Sequence, residues 1–308
     1  MEGARLAFDD SRRIGWGDFA AAMFLLVACG SRQPEEGARS AEYGIDDFGA
    51  EIRLDAMPQR IVSLNPTTTE MLFALGAGSR VVGRSTHDNW PDSARLVSDV
   101  GPGIKPNVES ILAARPDLVL LYASADNRPA ADRLRAAGIA TAAFKVDSIA
   151  EFDRLARLLG RMVGDSARGA LVADTVMRTL DSVRALTKDA PRVRVVIPTW
   201  HEPLLVIGGG SFMSQLVEIA GGRNVYDDVA APSPAVTFED ILARNPDVVL
   251  VGPESAARIK AQSKWRTLPA VRRNRLLVFD TATVLRPATR LGEGALSLAR
   301  LLHPDRVR

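Results

Sequence analysis

The feature that most constrains the fold of this chain is an internal repeat. Residues 107–121 (NVESILAARPDLVLL) align with residues 237–251 (TFEDILARNPDVVLV), and eight of the fifteen positions are identical. A weaker match pairs residues 70–81 with residues 214–225. Each copy has the pattern of a short capped helix, a Pro-Asp break and a buried strand. Two copies are too few for a solenoid, so we predict two similar α/β halves.

Short apolar segments, separated by helical patterns, predict the strands of both halves. Because these segments are apolar throughout, they indicate parallel sheets that helices cover on both sides. The predicted strands are residues 60–64, 80–84, 118–122 and 140–144 in the first half, and 194–197, 248–252 and 276–279 in the second. The predicted fold class is therefore α/β, with two Rossmann-like lobes.

Residues 148–190 lie between the halves and carry apolar side chains at three- and four-residue spacing, which is typical of amphipathic helices. We expect Gly160 and Gly164 to interrupt this pattern, so that a shorter helix precedes a longer one that joins the lobes. A helical joint favours slight rocking over large hinge closure. The predicted N-terminal lobe is residues 53–147, and the C-terminal lobe is residues 191–308.

The first 28 residues have the pattern of an export signal. Their longest apolar run, residues 19–28, has the length of a signal-peptide core and is too short to span a membrane. The following LVACG around Cys29 resembles a bacterial lipobox, which implies lipid on the sulfur and a membrane-anchored protein in the periplasm or cell envelope. A buried cysteine after a short core helix is the alternative, and three acids count against the signal: Asp9, Asp10 and Asp18. The polar residues 29–52 predict a flexible tether.

The charge and cysteine content exclude several other classes of protein. The chain has 39 Lys and Arg against 37 Asp and Glu, an excess too small to predict nucleic-acid binding. A single cysteine excludes an internal disulfide and a zinc cluster built from several thiolates.

Beyond the repeat, several stretches resemble the substrate-binding proteins of bacterial ABC importers for vitamin B12, ferric siderophores and haem. The matching stretches are residues 58–70, 107–117, 203–211 and 286–304. The resemblance implies a class III periplasmic binding protein, in which a helical backbone bridges two α/β lobes. It also implies a monomer that captures a small molecule between its lobes and delivers the molecule to permease subunits.

The ligand of such a protein is expected beyond the carboxyl ends of the strands, where the two sheets face each other. The predicted ligand-binding residues are Asn65, Thr67, Thr68, His87, Trp90, Trp200, His201 and Arg286. A tryptophan ring offers a flat surface to a macrocycle, although it could equally pack in the core. A neutral histidine could coordinate cobalt or haem iron, but a surface histidine is the commoner case. The arginine could bind a carboxylate through two hydrogen bonds.

Glu109 and Glu239 occupy the same position in the two repeats. Asn107 and Thr237 are plausible N-caps, so each glutamate falls in the first turn of a helix, where it could simply offset the helix dipole. The resemblance implies instead that these two glutamates dock onto arginines of the permease, one from each lobe.

Cobalamin is the first ligand hypothesis, because residues 63–70 and 87–91 resemble the vitamin B12 branch most. That branch can place a tryptophan just before the Asn-x-Glu motif, whereas residues 101–106 contain none, which leaves a ferric siderophore or haem open. A hydrolase would need a nucleophile, a base and an oxyanion hole, and the sequence lacks both G-x-S-x-G and H-E-x-x-H. We therefore predict neither an enzyme nor a resident cofactor or metal. An adhesin or cell-wall scaffold is the third class of function that the sequence leaves open.

Overall fold

The computed structural model of the protein describes residues 41–307. The predicted signal peptide, Cys29 and residues 29–40 of the predicted tether lie outside the described residues.

The flexible tether predicted for residues 29–52 is wrong in its last part, from residue 41 onward. An antiparallel hairpin occupies this place, formed by β1 (Ala41–Ile45) and β2 (Glu51–Leu54). Ile52 and Leu54 of β2 are buried and belong to the hydrophobic core. The folded part of the chain therefore begins before the predicted lobe boundary.

The N-terminal lobe contains one parallel sheet with the strand order β4-β3-β5-β6. Its strands are β3 (Ile61–Ser63), β4 (Val81–Arg84), β5 (Leu118–Tyr122) and β6 (Ala140–Phe144). Its helices are α1 (Pro66–Ala74), α2 (Val108–Ala113) and α3 (Arg128–Ala136), with short 3-10 turns at Gly78–Arg80, Asp92–Leu96 and Ala125–Asn127.

Two packed helices, α4 (Ile149–Met162) and α5 (Ser166–Thr187), connect the lobes as predicted. Gly164 separates them and has a φ of 83°, a left-handed conformation that glycine adopts without strain. The prediction that Gly160 also interrupts the helices is wrong, because Gly160 lies inside α4. A Cβ on Gly160 would lie only 2.6 Å from the Cα of Gly169 in α5, so this glycine permits the close approach of the two helices.

The C-terminal lobe contains a second parallel sheet with the strand order β10-β7-β11-β12. Its strands are β7 (Val193–Val196), β10 (Gly222–Asn224), β11 (Val248–Val251) and β12 (Leu276–Val278), and a separate hairpin contains β8 (Pro198–His201) and β9 (Leu204–Val206). Its helices are α6 (Phe212–Ile219), α7 (Phe238–Arg244), α8 (Pro253–Ala261), α9 (Pro269–Arg272), α10 (Thr281–Val284) and α11 (Leu291–Leu302), with a 3-10 turn at Ser263–Thr267.

The two sheets have the same strand order, as the internal repeat predicts. The Pro-Asp break closes the same hydrogen-bonded contact in each lobe. Asp117 accepts from the backbone N–H of Arg60 at 3.0 Å, and the guanidinium of Arg60 donates to carbonyls at the C-terminal end of α2. Asp247 accepts from the N–H of Arg194 at 3.0 Å, and Arg194 donates to carbonyls at the end of α7. The repeat is therefore present in side-chain contacts as well as in topology.

One hydrophobic core runs from the first sheet through the helical pair to the second sheet. Its members include Leu118, Leu120, Phe144, Leu155, Val176, Leu180, Val195 and Leu250. Because burial of apolar surface is the main favourable contribution to folding, a core shared in this way couples both lobes to α4 and α5.

Candidate functional site

The carboxyl ends of the two sheets face a cleft between the lobes. Its central depression, of about 270 Å³, is lined by Asn65, Thr67, Tyr122 and Asp147 from the N-terminal side and by Phe212, Leu285 and Arg286 from the C-terminal side. A depression of about 280 Å³ on the N-terminal lobe shares Asn65 and Tyr122 with it. Another of about 480 Å³ on the C-terminal lobe shares Leu285. The three depressions together form a surface to which both lobes contribute.

The loop between β3 and α1 brings Asn65 and Thr67 to the cleft. Asn65 caps α1, because its side-chain oxygen accepts a hydrogen bond from the N–H of Thr67 at 3.0 Å. Thr68 is fully buried, and its hydroxyl contacts the Ser63 hydroxyl at 2.7 Å and the Asn65 carbonyl at 3.0 Å. Thr68 therefore stabilises the loop from its buried side, and its contact with a ligand stays a prediction.

Asp88 is a buried carboxylate that the sequence analysis missed. It accepts hydrogen bonds from the Thr69 hydroxyl at 2.6 Å, the Ser85 hydroxyl at 2.6 Å and the Ser85 N–H at 3.1 Å. Burial raises the pKa of Asp88 above its ordinary value, while these hydrogen bonds oppose the shift. The network fixes the loop that presents the exposed His87 to the N-terminal depression.

Two of the predicted residues meet arginines of the other lobe. Arg286 lines the central depression and donates a hydrogen bond to the carbonyl of His87 at 3.1 Å. Trp90 is 38% exposed, and the guanidinium of Arg290 lies 4.1 Å from the centre of its ring. The half-exposed indole ring of Trp90 and the guanidinium of Arg290 therefore form a cation–π interaction, which is favourable.

Trp200 and His201 lie on the β8–β9 hairpin and do not line the three depressions described above. Their neighbours Pro198 and Thr199 line the C-terminal depression instead. Trp200 is 60% exposed. The pKa of His201 is lowered by burial and by the positive charges of Arg258 and Lys264. The ligand-binding roles of Trp200 and His201 stay predictions.

Tyr122 and Asp147 are cleft residues that sequence reasoning missed. The Tyr122 hydroxyl donates to the carboxylate of Asp147 at 2.8 Å, and both line the central depression. Burial, together with this carboxylate, raises the pKa of Tyr122 above its ordinary value. The available signal was the position of Tyr122 as the last residue of a predicted strand.

Glu109 and Glu239 are exposed at matching positions in the first turns of α2 and α7. Asn107 and Thr237 cap these helices as predicted, since each side chain accepts from the backbone N–H three residues later. Glu109 also pairs with Arg133 at 3.0 Å. Both carboxylates therefore lie on the surface of their lobe.

Comparison with known proteins decides the family. The sequence pattern of the family described as periplasmic binding protein matches residues 61–283, which include both sheets and the helical pair. The chain belongs to the periplasmic binding protein family. The resemblance to substrate-binding proteins of ABC importers and the predicted two-lobed α/β fold are confirmed. Members of this family are binding proteins for solutes. Membership therefore favours a binding role over an enzymatic one.

Individual relatives cover most of this periplasmic binding protein. An uncharacterized ABC transporter substrate-binding lipoprotein of Bacillus subtilis, YvrC, is 27% identical over 94% of this chain and 96% of its own length. A vitamin B12-binding protein of Yersinia pestis is 30% identical over 63% of this chain and 69% of its own. The periplasmic heme-binding protein RhuT from Roseiflexus sp. RS-1 superposes with a TM-score of 0.73 at 25% identity, covering 80% of this chain and 98% of RhuT.

Two properties of the described part of this periplasmic binding protein concern membranes and metals. Between residues 41 and 307, none of the helices combines the length and apolar character needed to cross a membrane. In the same range, His, Cys, Asp and Glu side chains form no group of three or more that could hold a metal ion.

Proposed function

We propose that the protein captures cobalamin in the interlobe cleft and delivers it to the permease of an ABC importer. The observation that carries this proposal is a cleft lined by side chains of both lobes, at the carboxyl ends of two parallel sheets. Tyr122 from the N-terminal lobe and Phe212 from the C-terminal lobe offer aromatic surface against which a macrocycle can pack. The vitamin B12-binding relative and the sequence resemblance at residues 63–70 and 87–91 favour cobalamin.

Haem or a ferric siderophore is the second candidate ligand. Arg286 favours it, because a guanidinium in the cleft can bind a carboxylate through two parallel hydrogen bonds. The heme-binding protein RhuT, which shares the fold, supports the same candidate. The proposal includes the lipid anchor at Cys29 and a place in the periplasm, both inferred from the sequence.

A titration of the purified protein with cyanocobalamin, haemin and a ferric siderophore tests the proposal. Trp90 is 38% exposed and follows three residues after His87, which lines the N-terminal depression, so we expect saturable quenching of tryptophan fluorescence by cyanocobalamin. The variant Trp90→Phe identifies the part of the signal that comes from this ring. Saturation with haemin or the siderophore alone would favour the second candidate. No saturation with any of the three would refute the proposed function.

Replacement of Arg286 by alanine should weaken ligand binding. A hydrogen bond to a charged group contributes about 1.5–3 kcal/mol, so we expect a loss of affinity of roughly 10- to 100-fold. The variant Arg286→Lys should recover part of this loss. Arg266→Ala, which removes an exposed arginine outside the three depressions, serves as the control in the same titration. Equal affinities of the Arg286→Ala variant and the parent protein would exclude Arg286 from the binding site.

A further inference from the structure

Glu70 is a buried carboxylate of the N-terminal lobe whose partners belong to the other lobe. It lies in α1 and is only 2% exposed. The hydroxyl of Thr289 donates to its Oε1 at 2.5 Å, and the Nε of Arg290 lies 3.7 Å from the same oxygen. Thr289 and Arg290 belong to the loop between α10 and α11.

Arg290 contacts both lobes at once. Its guanidinium lies over the ring of Trp90 in the N-terminal lobe, and one Nη donates to the carbonyl of Ala282 in α10 at 2.5 Å. Its Nε is buried and has no hydrogen-bond partner among the described residues, because the Oε1 of Glu70 is just out of reach.

Separation of the lobes would be costly at this place. A buried carboxylate that loses its hydrogen-bond donor and its cation keeps the full penalty of desolvation. Within residues 41–307, the Glu70 side chain contacts Thr289 and Arg290, both of which belong to the C-terminal lobe. Its environment is therefore satisfied only when the two lobes are held near their present angle.

The contact lies beside the helical joint. Thr289 lines a groove together with Ala74 at the end of α1 and with Val172 and Thr175 of α5. A small change of angle next to α5 would produce a larger displacement in the parts of the lobes that lie farther from the joint.

We propose that Glu70, Trp90, Thr289 and Arg290 form an interlobe bracket that fixes the angle between the lobes and thus the width of the cleft. These four are positioning residues, which act on the ligand site through lobe geometry. The bracket goes beyond the proposed function, because it concerns the protein before any ligand binds.

Distance measurements between spin labels on the two lobes test the bracket without a ligand. The labels are placed at Leu96→Cys, a position that is 89% exposed in the N-terminal lobe, and at the exposed Lys260→Cys in the C-terminal lobe. All samples carry Cys29→Ser, so that the chain contains no other cysteine. The variants are Arg290→Met, which removes the positive charge and the N–H donors of the guanidinium, and Glu70→Gln, which removes only the negative charge.

Arg244 provides a matched control within a single lobe. Its guanidinium lies 4.2 Å from the ring centre of Tyr226 and pairs with Asp228 at 2.7 Å and Asp240 at 3.3 Å, all in the C-terminal lobe. Arg244→Met therefore removes a similar set of contacts without touching the bracket.

We expect the interlobe distance distribution of Arg290→Met to shift to longer distances and to broaden about twofold, since the variant removes the bias toward one lobe angle. Glu70→Gln should give a smaller change, Arg290→Lys should restore part of the parent distribution, and Arg244→Met should match the parent. Parent-like distributions in both Arg290→Met and Glu70→Gln would overturn the bracket. If Arg290→Met does not fold, the nearly isosteric Glu70→Gln decides alone. The outcome is independent of the titration, so failure of ligand binding would leave it intact.

Discussion

Simultaneous replacement of Glu109 and Glu239 by arginine should abolish uptake while leaving ligand binding in the cleft unchanged. Both carboxylates are exposed, and neither lines a cleft depression described above. If the proposed docking onto permease arginines is correct, the reversal places like charges opposite each other in two contacts. Like-charge contacts cost several kcal/mol at an interface, which is enough to prevent productive association. The measurement is uptake by cells that lack another binding protein for the ligand, with the titration done in parallel.

The control for this experiment reverses two exposed acids outside α2 and α7. Asp92→Arg together with Glu218→Arg changes the net charge of the protein by the same amount and should leave uptake intact. The single variants of Glu109 and Glu239 should each reduce uptake in part, because each lobe contributes one contact. Normal uptake by the double variant would refute the docking role and leave the helix-dipole interpretation of both glutamates.

The internal repeat made the core of the fold predictable. Similar sequences in the two halves encode the same capped helix, Pro-Asp break and buried strand, and local patterns of this kind determine local structure. The strand predicted at residues 118–122 is present with the same ends, and that predicted at 248–252 ends one residue earlier. The two sheets have the same strand order because both halves fold in the same way.

The hairpin over residues 41–54 was not predictable from local pattern. Asp46 in its turn is buried and accepts from the N–H of Ala143 at 3.0 Å and from Arg135 at 2.5 Å. Contacts between residues so far apart in the chain depend on tertiary packing, which a polar local sequence does not reveal. The same reason applies to β10, whose three residues carry no strand pattern of their own.

The sequence located the loops of the cleft more reliably than the side chains within them. Thr67 lines the cleft, whereas its neighbour Thr68 is fully buried, and Thr199 lines it in place of Trp200. Adjacent residues of a helix or a strand point in different directions, so an error of one position is enough to move a side chain out of the cleft. Asp147 was missed because its contact with Tyr122 forms only in the folded lobe.

Gly160→Val should destabilise the protein more than any ordinary surface substitution. A Cβ at this position would lie 2.6 Å from the Cα of Gly169 and 2.9 Å from the carbonyl oxygen of Asp165, both backbone atoms that cannot rotate away. Overpacking of this kind costs about 1–3 kcal/mol, and here it would separate the two helices that join the lobes.

The sign of the effect of Gly160→Ala distinguishes close packing from helix propensity. Alanine in place of glycine inside an unconstrained helix stabilises by about 0.8–1 kcal/mol, so propensity alone predicts a gain. Because Gly160 faces Gly169, we expect a loss of stability in Gly160→Ala and a larger loss in Gly160→Val, measured by guanidinium unfolding. The exposed Ala150 of α4 is the control, and Ala150→Val should change stability by less than about 0.5 kcal/mol. A gain in Gly160→Ala would mean that α4 and α5 adjust to a Cβ at this position and that helix propensity outweighs close packing.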